Sequence, residues 1–212
     1  MPTMRFTTRR FTRRAAMGAA AGALGAAATR ALPAAAEFPT SGCGRPGPSC
    51  VSEPKRTDRG PMPIAITIPN ADVDAPVELT EIIGGVMQNP SGPFVVGWYR
   101  ESGRPGEHDN IVMAGHLDYW NVGQAVFFHV AALEPGDVVD VLGDDGVTYS
   151  YAVEWVRHFV MADISPEDIQ LIVGKTAEER LTLITCGGEF DYTTGEYKER
   201  TIVRAVRLPD AA

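Results

Sequence analysis

The stretch that decides the fold is Arg180-Leu181-Thr182-Leu183-Ile184-Thr185-Cys186, which Gly187-Gly188 follows. Its aliphatic and β-branched residues predict a β-strand. Side chains alternate between the two faces of a strand, so Thr182, Ile184 and Cys186 share one face, whereas Leu181, Leu183 and Thr185 share the other. The two glycines let the backbone turn sharply, so we expect Cys186 to be the last residue of this strand.

Further short strands precede and follow this stretch, separated by turn residues. The clearest pair surrounds Asp145-Gly146, because glycine accepts the positive φ that hairpin turns require. Another predicted strand contains Pro76, and a proline is expected near the edge of a sheet or at the start of a strand. The predicted strands cover residues 64–68, 75–79, 94–99, 110–116, 137–142, 147–156, 180–186 and 201–208. About eight short strands with few helices predict a mainly β fold, a single closed eight-stranded β-barrel with Cys186 at its lip.

One short helix is predicted to begin at Ser165-Pro166-Glu167-Asp168. Ser165 can cap it, Pro166 suits the first turn, and the two acids favour the positive end of the helix dipole. The four apolar residues that follow are expected to pack inward; they are Ile169, Leu171, Ile172 and Val173.

The charge of the chain is unevenly distributed. The chain has 19 basic and 27 acidic residues, a formal charge of −8. Six arginines lie in the first 36 residues, and without that segment 13 basic residues stand against 27 acidic ones, a charge of −14. Binding to phosphate requires Lys and Arg that displace counterions, so this surface argues against nucleic acid as a partner.

The amino end has the features of an export signal. Arg9-Arg10 and Arg13-Arg14 precede a mild Ala/Gly/Leu stretch, and small residues at 34–36 suit a signal peptidase. Paired arginines before a weakly apolar segment indicate the twin-arginine (Tat) route. We therefore expect a secreted protein, with residues 1–36 as a signal peptide; an uncleaved membrane anchor is the open alternative. Residues 37–62 are predicted to be a Pro/Gly-rich linker, and residues 63–212 the folded domain.

Export affects how the three cysteines are interpreted. Cys43 and Cys50 lie in a Gly/Pro/Ser stretch, and in an oxidising compartment a small disulfide loop is their expected state. Cys186 then has no partner. An odd cysteine in an exported protein indicates intermolecular pairing or a free reactive thiol, and a small buried apolar residue is the further alternative.

A cysteine nucleophile needs a base that takes its proton and a donor for the oxyanion that forms. Among the four histidines, His116 is at the end of a predicted strand, beside Gly115, which admits close approach. A turn at residues 193–195 would return Arg200 alongside Cys186 on an antiparallel strand, with Lys198 one step out on the same side. For Arg204 we expect a surface charge that balances nearby acids.

These segments resemble the sortase family. Residues 181–186 are similar to the signature Thr-Leu-x-Thr-Cys, residues 114–118 to the Gly-His-x-Asp segment, and residues 197–200 to the segment that carries the family's arginine. Shorter matches, such as 68–69, 97–99 and 135–137, follow in the order seen in sortases. The resemblance covers about residues 63–208 and is greatest to the class F type of actinobacteria.

The resemblance implies Cys186 as the nucleophile, His116 as the acid/base and Arg200 as the stabiliser of the oxyanion, with Thr185 and Ala114 in contact with the substrate. Many class F sequences have Arg at the position of Lys198 and Asn at that of Arg200, so Lys198 is the alternative cation. The family mechanism implies cleavage of a signal resembling Leu-Pro-x-Thr-Gly through a thioester. An amine, such as one on a peptidoglycan precursor, then accepts the acyl group and attaches the protein to the cell envelope.

Two other functions remain open on the sequence. A Cys/His peptidase or other thiol acyltransferase would use the same groups, with water or another acceptor. A noncatalytic envelope β-barrel that binds peptide would use Cys186 as a structural thiol. No metal or other cofactor is expected, because Cys186 and His116 alone give too few ligands.

Overall fold

The architecture is that of a computed structural model which describes residues 59–209. Its strands are β1 Pro63–Ile68, β2 Val73–Thr80, β3 Ile82–Ile83, β4 Val86–Met87, β5 Val96–Tyr99, β6 Asn110–Ala114, β7 Asp118–Tyr119, β8 Gly123–Gln124, β9 Val138–Gly143, β10 Thr148–Val160, β11 Arg180–Asp191 and β12 Glu196–Arg207. The α-helix is α1, Pro166–Val173, and two short 3₁₀ helices cover Pro69–Ala71 and Val130–Ala132.

Eight of these strands close into a barrel in the order β1-β2-β5-β6-β11-β12-β10-β9. Neighbouring strands are antiparallel except β2 with β5 and β6 with β11. The remaining strands form two small antiparallel hairpins, β3–β4 and β7–β8. The predicted closed eight-stranded barrel is therefore confirmed. Closure gives every barrel strand two neighbours, so the barrel has no exposed edge.

Pro76 was expected near an edge or a strand start, and that expectation is wrong. It lies inside β2, opposite Ala65 of β1, at the last position of that pairing, and the pairing of β2 with β5 begins at Val77. The proline thus lies where the pairing of β2 with β1 ends and its pairing with β5 begins.

The barrel interior is one apolar core. Leu181 and Leu183 point into it from β11, and the large side chains of Trp98, Phe127 and Tyr151 are almost completely buried around them. Full burial of such a side chain contributes roughly 1.5–3 kcal/mol each. The alternation predicted for β11 is confirmed here, since the intervening residue Ile184 belongs to a different cluster.

That second cluster lies between the outer face of the barrel wall and α1. Ile172 of the helix is fully buried there together with Ile184 and Ile202. The helix begins with a capping box in which Ser165 and Asp168 exchange hydrogen bonds, as the capping prediction requires. Leu171 is 41% exposed, so its predicted inward packing is wrong; one face of the helix carries Ile169, Ile172 and Val173 against the barrel.

Arg204 is buried, which corrects the expectation of a surface charge. Its guanidinium donates to the carbonyl oxygens of Leu171 and Ile172 and lies over the ring of Trp155. These carbonyls are at the end of α1, where no following turn of helix supplies donors. Arg204 therefore holds the carboxyl end of α1 against the barrel wall.

Strand β11 does not end at Cys186, contrary to the prediction. It continues to Asp191, and the pairing with β12 shifts register between Gly187 and Phe190. Gly188 has a φ of +71° within this bulge. The glycines therefore bend a continuous strand and do not terminate it, because one extra residue in a bulge changes the direction of the strand.

The predicted signal segment and the Cys43–Cys50 loop lie outside the described residues. Among residues 59–209, no helix has the length and apolar character needed to cross a membrane.

Candidate active site

Cys186 lies in a cleft on the outer face of the barrel wall. The cleft is open to solvent, with about 760 Å³ of empty space including its mouth, and its apolar walls include Met87, Tyr99 and Ile184. Cys186 is half-buried and, within residues 59–209, is a free thiol. Since Ile184 and Cys186 are two residues apart on β11, they project to the same outer side. The thiol thus lies against the barrel wall, and β11 and β12 extend beyond it.

His116 reaches the same cleft from the neighbouring strand. In the parallel pairing of β6 with β11, Ala114 is opposite Ile184, and the amide of Gly115 donates to the Ile184 carbonyl at 3.1 Å. His116 comes two residues after Ala114, and Cys186 two residues after Ile184; both line the cleft. None of the other three histidines lines it.

The His116 ring is buried and held on two sides. Its Nε2 is 3.1 Å from the carbonyl oxygen of Pro90. Because a carbonyl oxygen only accepts, Nε2 carries the proton in this contact, and Nδ1 is the basic nitrogen of the neutral ring. The ring of Tyr119 packs edge-on at 5.2 Å between centroids. A Cβ on Gly115 would be 2.5 Å from the ring of Phe127, so glycine is required for this close packing.

Arg200 is directly opposite Cys186 in the antiparallel pairing of β12 with β11. Side chains of directly opposed residues lie on the same face, and both residues line the cleft. Arg200 is 7% exposed, and its Nη1 donates to the carbonyl oxygens of Tyr197 at 3.0 Å and Glu199 at 2.9 Å. Among the ion pairs of residues 59–209, none includes Arg200.

Lys198 is placed differently. Its Nζ is 2.6 Å from Glu189 Oε2, in an ion pair whose two side chains are 51% and 76% exposed. It is opposite the bulge of β11, between the pairs Gly187–Glu199 and Phe190–Tyr197. Lys198 pairs with Glu189 of the bulge and does not line the cleft with Arg200. Of the two candidate cations, the fold brings Arg200 to the thiol.

The surroundings of the thiol shift the pKa of Cys186 in opposite directions. Burial raises the pKa of Cys186 above its ordinary value, and the Arg200 charge acts in the opposite direction. Asp118 and Glu196, which also line the cleft, add to the increase. A thiol with a raised pKa is protonated at neutral pH, so nucleophilic attack requires a group that takes the proton.

The two residues predicted to contact substrate also line the cleft. Ala114 is half-buried at the end of β6. Thr185 is buried, and its hydroxyl has no hydrogen-bond partner among the described residues.

The sequence did not predict the contact that joins the two walls of the cleft. The hydroxyl of Tyr197 on β12 donates to Oδ2 of Asp118 on β7. The only signal was the position of each residue, Asp118 two residues after His116 and Tyr197 three before Arg200. Among the described residues, no group of three or more His, Cys, Asp or Glu side chains could hold a metal ion.

Comparison with known proteins places the chain among the cysteine transpeptidases. The sortase domain matches residues 66–208, more than half of the sequence, so the chain belongs to the sortase family. A search of curated proteins returns no match.

Solved sortase structures share the fold. A lid mutant of sortase A from Corynebacterium diphtheriae is 23% identical with a TM-score of 0.53, over 74% of this chain and 75% of that one. Sortase C1 from Streptococcus agalactiae is 21% identical with a TM-score of 0.52, over 76% and 74%. Sortase C-1 from Actinomyces oris is 23% identical with a TM-score of 0.53, over 69% and 73%.

Proposed function

We propose that this sortase cleaves a sorting signal resembling Leu-Pro-x-Thr-Gly through a thioester on Cys186 and transfers the acyl group to an amine. The observation that supports this most is the convergence of Cys186, His116 and Arg200 on one cleft from three adjacent strands. A thiol, a buried imidazole and a buried guanidinium are the groups that acyl transfer requires.

In the first half of the reaction, the Cys186 Sγ attacks the carbonyl carbon of the Thr residue, after its proton has passed to His116. The oxyanion that forms is stabilised by the Arg200 guanidinium. The bond from the Thr carbonyl carbon to the Gly nitrogen breaks, and His116 protonates the departing amine. A thioester between Cys186 and the substrate remains.

In the second half, a neutral amine attacks the thioester carbonyl carbon, and His116 takes the proton that the amine gives up. The bond between that carbon and Sγ breaks, and a new amide is formed. His116 returns its proton to the thiolate, which restores the resting site. Water in place of the amine would give hydrolysis, the reaction of a Cys/His peptidase.

The setting of this reaction is part of the proposal. Sortases are associated with the cell envelope, and we propose that this chain is exported, with residues 1–36 as a Tat signal or an anchor. Its partners would be proteins with a sorting signal and an amine of a peptidoglycan precursor. The order of segments matched in the sequence supports a class F type.

The test is a ligation assay with the full chain, a library of Leu-Pro-x-Thr-Gly-type peptides and oligoglycine. We expect a ligated product of defined mass, and none with Cys186→Ala. Hydrolysed peptide without ligated product would support the peptidase alternative. Equal turnover by Cys186→Ala would contradict both enzyme functions.

A further inference from the structure

A hydrogen bond joins two walls of the cleft that contains the Cys186 thiol, one wall from β12 and the other from β7. Tyr197 and Asp118 are 79 positions apart in sequence, and the phenolic hydroxyl of the first donates to the carboxylate of the second. Tyr197 belongs to β12, the strand of Arg200. Asp118 begins β7, which directly follows residues 115–117, here called the His116 segment. Both residues line the cleft.

On the histidine side, two backbone hydrogen bonds hold the carbonyl oxygens of residues 116 and 117. The amide of Phe127 donates to the His116 carbonyl at 2.9 Å, and that of Ala125 donates to the Leu117 carbonyl at 3.0 Å. Both bonds tie this segment to the chain that follows it. The side-chain bond from Asp118 to Tyr197 ties the segment to the arginine strand.

On the arginine side, Tyr197 makes two further contacts. Its carbonyl oxygen accepts a hydrogen bond from Arg200 Nη1 at 3.0 Å. Its ring packs against that of Phe190 on β11, with 5.0 Å between centroids. Tyr197 therefore contacts the Arg200 guanidinium through its backbone and the His116 segment through its hydroxyl.

We infer that Tyr197 is a positioning residue for the transpeptidation: with Asp118 as its acceptor, it sets the distance between the His116 segment and Arg200. This inference rests on the proposed function. Positioning is the appropriate role because the hydroxyl proton is already donated to a carboxylate and is not available to the reacting amine. Burial and the Asp118 charge both raise the pKa of Tyr197, so the hydroxyl remains a donor across the working pH range.

The expected effect is on turnover more than on binding. A displacement of about 1 Å between reacting groups can lower a rate about 100-fold. Tyr197→Phe removes the hydroxyl and keeps the ring against Phe190. We expect kcat to fall about 10- to 100-fold, with KM within about threefold of the wild type.

The experiment measures kcat and KM for ligation with the full-length wild type, Tyr197→Phe, Asp118→Ala and the double variant. Tyr192→Phe is the matched control, because Tyr192 is 91% exposed, also packs on Phe190 and does not line the cleft. Thermal unfolding verifies that each variant is folded; if one is not, the substitution at the other end of the bond gives the result.

A shared loss of kcat in both single variants, with no further loss in the double variant, would support the inference, because the two residues then act through one bond. The inference is overturned if Tyr197→Phe keeps the kcat of the wild type, if only KM rises, or if the losses add in the double variant. If the wild type does not ligate, the proposed function fails and this inference fails with it.

Discussion

At the scale of single residues, the decisive feature is a buried guanidinium whose charge no carboxylate compensates among residues 59–209. Arg200 donates hydrogen bonds to two backbone carbonyl oxygens. The negative charge opposite it would be a thiolate at Cys186 or an oxyanion on the substrate. A buried charge without a partner is unfavourable unless the reaction supplies one. Lys198, by contrast, already has a carboxylate partner in Glu189.

Arg200→Ala and Lys198→Ala should therefore differ in activity. Loss of one oxyanion donor removes about 2.7–4 kcal/mol of transition-state stabilisation, so kcat of Arg200→Ala should fall about 100- to 1,000-fold. Lys198→Ala removes an exposed ion pair and should stay within a few fold of the wild type. Steady-state ligation kinetics measure both, and the reverse order of effects would assign the role to Lys198.

The thiol should titrate above the ordinary value for cysteine, because burial outweighs the Arg200 charge. The rate of alkylation by iodoacetamide should rise with pH and reach its midpoint above that of a free thiol. Arg200→Ala removes a positive charge and should move the midpoint upward, whereas Asp118→Asn removes a negative charge and should move it downward. A midpoint below the ordinary value in the wild type would contradict this electrostatic account.

Individual residues were predicted unequally from sequence. His116 follows the short strand β6, Cys186 lies inside β11, and each is next to a glycine; local pattern and family resemblance agree on both. Arg204 was misassigned because its burial depends on α1, which comes from a segment more than 30 positions earlier. Tyr197 and Asp118 each appear as an ordinary polar residue until the barrel closes and brings them together.

At the scale of elements, the bulge in β11 continues the strand beyond Cys186 and lies opposite Lys198. Lys198 and Arg200 are two residues apart on β12, and the sequence predicted that they share one side, but of the two only Arg200 lines the cleft. Lys198 instead forms an ion pair with Glu189, one of the two β11 residues between Gly187 and Phe190. Glycine in a strand indicates either a stop or a bulge, and only the pairing with β12 distinguishes the two.

Gly188→Ala tests this bulge. Gly188 has a φ of +71°, and a Cβ there would be 2.7 Å from the Glu199 side chain. Gly146→Ala is the control, since its φ is +80° but nothing lies within 4 Å of the added Cβ. Both variants should lose about 1–2 kcal/mol from the left-handed backbone.

Only Gly188→Ala should also lose ligation activity, because it alone disturbs the strand that carries Cys186. Chemical denaturation and ligation kinetics measure the two effects separately. Equal activity in the two variants would mean that the bulge has no role in the site.

At the scale of the whole molecule, acidic residues outnumber basic ones, and the proposed acceptor is an amine. Without residues 1–36 the formal charge is −14, and Asp118 and Glu196 line the cleft itself. An ammonium group is attracted to such a surface over roughly a Debye length, which is about 30 Å at 0.01 M salt and about 8 Å at 0.15 M.

Ligation to a cationic acceptor should therefore weaken with salt. For triglycinamide, with a net charge of +1, kcat/KM should fall about two- to threefold over this range of ionic strength. Triglycine has no net charge at neutral pH and should change little, which makes it the control. An equal salt effect on both acceptors would exclude steering by the protein's charge.

The mainly β fold was predictable from the number and spacing of short strands, a pattern typical of β-barrels and β-sandwiches. The location of the cleft was not, because it depends on which face of β11 is covered by α1 and which is enclosed by the barrel. Sequence alternation defined two faces without saying which one is outside. The second apolar cluster beneath α1 decides it.

The most direct test of the account is the mass of the enzyme during turnover. Full-length protein is mixed with a Leu-Pro-x-Thr-Gly-type peptide that it cleaves, without an amine acceptor, and quenched in acid. The account predicts an added mass equal to the peptide up to its Thr residue, located on the fragment that contains Cys186 and released by hydroxylamine. Ligation that proceeds while no adduct forms at Cys186, or an adduct that persists in Cys186→Ala, would contradict it.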